Sequence, residues 1–218
     1  MEAVIGPRRA IDVRELSLTQ GVIVYQAGDE VREVYFPLSC VLAPQLPLND
    51  GTMMATTLRG SEGAYGLLTA VRKARAPERC QVQIGGRALR IGARELRRIF
   101  HDHTEVQHLF LSYWDAVMYQ YEQVAICNAT HSVHSRLSRC ILEICDRVGD
   151  AFPLTHQHLA DLIGVNRTTV SLLALSFRRS GLIETTRAHI RVIDRKRLLA
   201  ATCDCYDIIG KKCLMALA

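Results

Sequence analysis

Only 14 of the 218 residues are Gly and 6 are Pro, while 49% are apolar. That is too few breakers for a disordered chain and enough apolar surface for a sizeable core. No stretch reaches the roughly 20 apolar residues of a membrane span. The first residues, MEAVIGPRRAIDVREL, have arginines but no apolar run behind them, so they do not read as a signal peptide. The expectation is a cytoplasmic protein that makes no use of a membrane. A nucleophile elbow, a phosphate-loop lysine motif, a zinc-protease helix and paired catalytic carboxylates are all missing, so no enzyme class is expected. The eight cysteines, at 40, 80, 127, 140, 145, 203, 205 and 213, contain no C-x-x-C pair, and none lies near the amino terminus. In a reducing compartment they read as small core residues, with neither disulfides nor a metal assigned. Internal repeats and a flexible Pro/Ser linker are absent too.

Charge is unevenly spread. Residues 1–150 carry 17 Lys and Arg against 17 Asp and Glu, and residues 151–218 carry 10 against 5, so the whole net charge of +5 lies in the last third. A local basic excess is what phosphate neutralisation requires. That third also holds Leu154 to Ala174, LTHQHLADLIGVNRTTVSLLA, which fits a helix-turn-helix. Ala160 is small where two helices cross, and Gly164 stands where the chain must turn with positive φ. Leu159, Ile163, Val165, Val170 and Leu173 supply the apolar set that holds the second helix steeply across the first. Such a unit presents its second helix to the major groove of DNA.

Ahead of it, residues 21 to 91 read as short strands punctuated by turns, with a hairpin expected around Gly85-Gly86. The pattern suggests a small barrel or sandwich. Near Ala93 the period becomes helical. A short helix to His101 precedes a long one from Thr104, read as its N-cap, to about Ala129. The stripe Phe110, Tyr113, Val117, Tyr121, Val124, Cys127 and His131 alternates near three and four and is read as a dimer seam. Ser132 caps a further helix to Val148 after a hinge at 130–133. Beyond the reader helix, a hairpin of Leu182-Ile183 and His189 to Ile193 forms a wing, and Asp194 caps a last helix.

A strand-rich front, a seam helix and a winged helix-turn-helix in this order resemble the Crp/Fnr family of bacterial transcription regulators. Leu154 to Ile193, Tyr35-Phe36-Pro37 and Gly60-Ser61-Glu62-Gly63-Ala64-Tyr65-Gly66 carry the likeness. The resemblance implies an α+β fold: a cyclic-nucleotide-binding-like β-roll over residues 1–103, a dimerisation helix and hinge over 104–132, and a winged helix-turn-helix over 133–218. It also implies a homodimer on a palindromic operator, and RNA polymerase as a partner.

Asn166 is expected to cap the reader helix. Arg167 in its first turn can hold guanine O6 and N7 with paired donors, as the family's base-reading arginine does. Thr168, Thr169 and Ser171 follow as contacts. Thr168 stands where the family often has Glu, and Leu172 where the best-known member has a second reading arginine, so a different operator is expected. Thr155, His156, Arg178, Arg179 and the wing's Arg187 are candidates for phosphate contacts, which position the protein without specifying sequence. The effector is left open. Glu62, Gly63 and Arg79 are the candidates for binding it. A cyclic nucleotide is one option, although Glu62-Gly63 reverses the family's Gly-Glu order and Glu78-Arg79-Cys80 lacks the hydroxyl residue of its phosphate run. Alternatives are a constitutive or architectural DNA binder and a metal- or redox-responsive regulator.

Overall fold

A computed structural model of the chain describes residues 11–55, 57–186 and 188–217, with side chains up to Lys211. The front is built from two antiparallel sheets. One has the order β1 (Val13–Leu18), β7 (Gly86–Gly92), β3 (Glu33–Pro37). The other has β2 (Ile23–Tyr25), β6 (Arg79–Ile84), β4 (Val41–Pro47), β5 (Met53–Ala55). Their facing residues Val34, Cys40, Leu42, Cys80, Val82, Ala88 and Ile91 form the roll's core. The pairing corrects the expected Gly85-Gly86 hairpin, because β6 and β7 belong to different sheets. The two glycines are instead a corner, where an added Cβ on Gly86 would lie 2.4 Å from the Ser39 carbonyl oxygen. Only a residue without a side chain lets the backbones approach that closely.

After α1 (Leu67–Val71) and α2 (Ala93–Asp102) comes α3 (Thr104–Thr130), a helix of 27 residues. Its N-cap is His103, one residue before the threonine expected there. Two apolar stripes, one residue apart in phase, run along α3. Phe110, Val117 and Cys127 are at most 8% exposed within this single chain. Tyr113 sends its hydroxyl to the Ala64 backbone, accepting from the N–H at 3.0 Å and donating to the carbonyl at 3.1 Å. Phe110, Tyr113 and Val117 of the expected seam therefore pack within the single chain. Cys127 and His131 meet the chain's own carboxy-terminal segment. The stripe left outward is Leu111, Met118 and Ala125, of which Leu111 and Met118 are 59% and 42% exposed. Both stripes satisfy a seven-residue repeat, so periodicity alone does not choose between them.

Ser132 caps α4 (Val133–Val148) by accepting from the Ser135 N–H at 3.2 Å. The wing sheet has the order β8 (Ala151–Phe152), β10 (Ile190–Val192), β9 (Ile183–Thr185). Its β8 strand goes beyond the expected two-strand hairpin. Two helices follow: α7 (Arg195–Ala200), capped by Asp194 as expected, and α8 (Cys205–Leu217), which was not expected and packs along α3. A second core joins Leu137, Ile141, Phe152, Leu159, Ile163 and Phe177 to Val41, Ala43, Leu58 and Ile84 of the roll. The two ends of the chain thus share buried surface. Among the described residues no helix is long and apolar enough to cross a membrane.

Candidate nucleic-acid interface

The reading unit is α5 (His156–Ile163) and α6 (Arg167–Arg179). Its turn is set by local chemistry. Thr155 starts α5 with a capping box: its hydroxyl accepts from the His158 N–H at 3.2 Å while the His158 ring accepts from the Thr155 N–H. Gly164 ends the helix at φ 66°, the left-handed conformation that favours glycine. Ala160, fully buried at the crossing, admits no larger side chain without overpacking the pair by about 1–3 kcal/mol. Asn166 then caps α6, its Oδ1 accepting from both the N–H and the hydroxyl of Thr169 at 2.8 Å.

These caps sort the candidate residues. Thr168, Leu172, Ser176 and Arg179 are exposed along one side of α6, spaced as helix neighbours three and four apart, and Arg167 is exposed beside them in the first turn. Leu172 is 64% exposed, an apolar side chain that the described residues leave largely uncovered. The hydroxyls of Thr169 and Ser171 are held locally, the first by Asn166 and the second by the Arg167 carbonyl at 2.9 Å. Ser176 was not singled out from sequence, and its place on the Thr168–Leu172 line was the available signal.

Beside this stripe is an open cleft of about 600 Å³ lined by Thr155, His156, Gln157, Arg167, Arg178, Thr185 and Thr186. It brings together three of the proposed phosphate contacts, Thr155, His156 and Arg178, but not Arg179, and adds Gln157, Thr185 and Thr186. Arg187 lies outside the described residues. The His156 Nδ1 is 3.0 Å from the Ser171 hydroxyl, and its Nε2 is buried with no hydrogen-bond partner among the described residues. Burial, then the charge of Arg167, lowers the His156 pKa below the ordinary histidine value.

The effector candidates do not share one cavity. Glu62 and Gly63 line an apolar cavity of about 220 Å³. Arg79 lines neither this nor the larger cavity of about 350 Å³ between roll and α3, which presents Arg59, Arg72, Arg75, Glu78, Tyr65 and Tyr121. Glu62 is instead bound to α4: its Oε1 accepts from Arg147 Nη2 at 2.7 Å and Nε at 2.9 Å. Burial works to raise the Glu62 pKa, but the Arg147 charge and hydrogen bonds outweigh it and hold the carboxyl below its ordinary value. Burial alone raises the Glu78 carboxyl, against the pull of Arg59.

Residues 135–201 match the Crp-like helix-turn-helix domain family. No curated protein matches the chain. Among solved structures, FixK2 from Bradyrhizobium japonicum superposes with a TM-score of 0.74 at 16% identity, over 88% of this chain and 98% of that one. TTHB099, a CRP-family transcriptional regulator from Thermus thermophilus, gives 0.72 at 19% identity, over 85% and 95%. CLP from Xanthomonas campestris, a c-di-GMP responsive global regulator, gives 0.61 at 13% identity, over 84% and 94%. At such identities the likeness establishes a shared fold.

Proposed function

We infer that this chain, with a Crp/Fnr fold and a Crp-like helix-turn-helix at residues 135–201, is a Crp/Fnr-type DNA-binding transcription regulator. We propose that it works as a homodimer on a palindromic operator, in the cytoplasm, with RNA polymerase as a further partner. The observation that carries this reading is the uncovered side of α6, where Arg167, Thr168 and Leu172 stand free beside a cleft that contains Arg178 and His156. Arg167 reads guanine with paired donors, and the methyl of Thr168 and the side chain of Leu172 suit thymine methyl groups. Arg178, Thr155 and Thr185 take the flanking phosphates.

Two copies meet through the outward stripe of α3, which places the reader helices about one helical turn of DNA apart. Input enters at the roll. The 350 Å³ cavity lies against α3 and presents both arginines and a carboxyl, which suits a small polar ligand. The shared core and the Glu62–Arg147 pair connect the roll to α4, so a ligand that favours one docking arrangement shifts the DNA-binding half.

Selection of binding sites from random DNA tests the output. The expected product is a two-fold symmetric site. On that site Arg167→Ala loses about 1–3 kcal/mol of preference while its weak binding to random DNA is kept. Equal loss on both DNAs overturns the base-reading role. Operator affinity that no small polar ligand changes points to a constitutive binder.

A further inference from the structure

Outside the DNA-facing surface and the roll, one cluster of reactive side chains has no role in the mechanism above. Cys127 lies on the last full turn of α3 and His131 is the residue at its C-cap. Cys203 and Cys205 flank Asp204 where the chain enters α8. The three sulfurs and one imidazole nitrogen all lie within 4.8 Å of one another. The two closest pairs are Cys127 Sγ to Cys203 Sγ and Cys205 Sγ to His131 Nδ1, each at 3.5 Å. A tetrahedral zinc ion, with Zn–S near 2.3 Å and Zn–N near 2.05 Å, sets S···S at about 3.8 Å and S···N at about 3.6 Å. Those two pairs stand within a few tenths of an ångström of zinc distances, and with all four atoms within 4.8 Å of one another the others are at most about 1 Å wider than a coordination shell.

We propose that Cys127, His131, Cys203 and Cys205 form a tetrahedral Cys3His site for a divalent cation of the zinc class, fastening α8 to the hinge end of α3. Three independent features support the assignment. First, the donor set is three thiols and an imidazole, which selects zinc over the oxygen-seeking magnesium and calcium. Second, the surroundings are those of a metal site. The outer ring nitrogen of His131, Nε2, is 3.5 Å from a carboxylate oxygen of Asp204, the arrangement that orients a metal-bound histidine. The Gln123 amide donates to Cys205 Sγ at 3.1 Å, a contact that strengthens when the sulfur is a thiolate. Third, the site is closed: Cys127 and Cys205 are fully buried and Cys203 is 8% exposed. The His131 side chain is 31% exposed, but four protein donors fill a tetrahedral shell with no coordination position left open, so the site is structural rather than catalytic. Arg139, ion-paired to Glu143 at 2.7 Å, lies near Cys127.

Metal entry replaces three thiol protons, which leave to solvent as the three S–metal bonds form. The clamp joins His131, at the link between α3 and α4, to the carboxy-terminal helix, so it restricts the hinge through which the regulator reading passes its signal.

The test uses the full chain, purified with a phosphine reductant and no chelator. One zinc per chain by mass spectrometry is expected. After stripping, a cobalt(II) titration should saturate at one equivalent, give the visible bands of tetrahedral cobalt thiolate, and release about three protons per ion. Cys205→Ser and His131→Ala should lose or shift those bands, with far-UV circular dichroism confirming that each variant is folded. Reduced, folded wild-type protein that takes up neither ion overturns the proposal. So does an unchanged cobalt spectrum in both variants. Neither readout involves DNA, so this site stands or falls apart from the regulator reading.

Discussion

Replacing Glu62 by Gln removes one charge from the contact that joins the roll to α4 and leaves the shape unchanged. Two unit charges about 4 Å apart at an effective dielectric near 20 attract by about 4 kcal/mol, before the cost of withdrawing both from water. Here the withdrawal is unequal: the Arg147 side chain is 8% exposed and that of Glu62 23%. The substitution therefore removes the negative charge beside a nearly buried guanidinium, which keeps its hydrogen bond to the Glu143 carbonyl. A fully buried pair broken on one side costs about 3–5 kcal/mol. Discounting for the wetter carboxylate leaves about 2 kcal/mol. For a chain of this length that is a fall of about 4–8 °C in melting temperature.

A double-mutant cycle isolates the pair. Glu62→Gln and Arg147→Met, the latter keeping the stem that lies against Gly60, should together cost about 1–2 kcal/mol less than the sum of the two alone. The pH dependence has a fixed sign. The folded-state carboxyl is held below its ordinary value, so the pair's contribution is complete above the unfolded-state pKa near 4.5 and is lost as pH falls through the folded value. Thermal melts of wild type and Glu62→Gln should therefore converge at low pH. Additive costs in the cycle, or a gap that persists undiminished into acid, refute the argument.

The outward stripe of α3 predicts that Met118→Glu places a charge in the seam and shifts sedimentation from dimer to monomer. It should weaken operator binding at least tenfold while the fold stays intact, and an unchanged dimer moves the seam elsewhere. In the cleft, the Ser171 hydroxyl donates to the Arg167 carbonyl, so His156 donates from Nδ1 and its Nε2 stays unprotonated. The lowered pKa keeps the ring neutral at pH 7, and the negative charge of a bound phosphate would raise it. Binding then takes up a proton, so operator affinity should rise as pH falls from 7.5 towards 5.5, by at most tenfold per unit. His156→Gln should flatten that slope, and a pH-independent wild type discards the contact.

The features legible in the sequence are those whose cause lies within about four residues. Asn166, Ser132 and Asp194 cap helices because a side-chain oxygen reaches a nearby N–H, and Gly164 marks a left-handed turn because other residues resist that backbone conformation. These fixed the reader unit, and with it the output. The misreadings occur where a choice depends on distant chain. Gly85-Gly86 has the composition of a hairpin and becomes a corner, because Ser39 leaves room for backbone alone. The heptad on α3 is real in both phases, and only the roll decides which one is buried. Glu62 reads as an effector-binding candidate until Arg147, 85 residues away, takes it. Cys127 reads as one seam residue until α8 brings Cys203, 76 residues on, to its sulfur. Such pairs leave no periodic trace, since one residue at each end suffices and the intervening chain is free to vary. A regulator of this fold needs a local, repeated pattern to meet DNA, whose backbone is itself regular. Its input needs only a few distant contacts, which is why the cavity, the ion pair and the cysteine cluster emerge from the folded chain and not from its motifs.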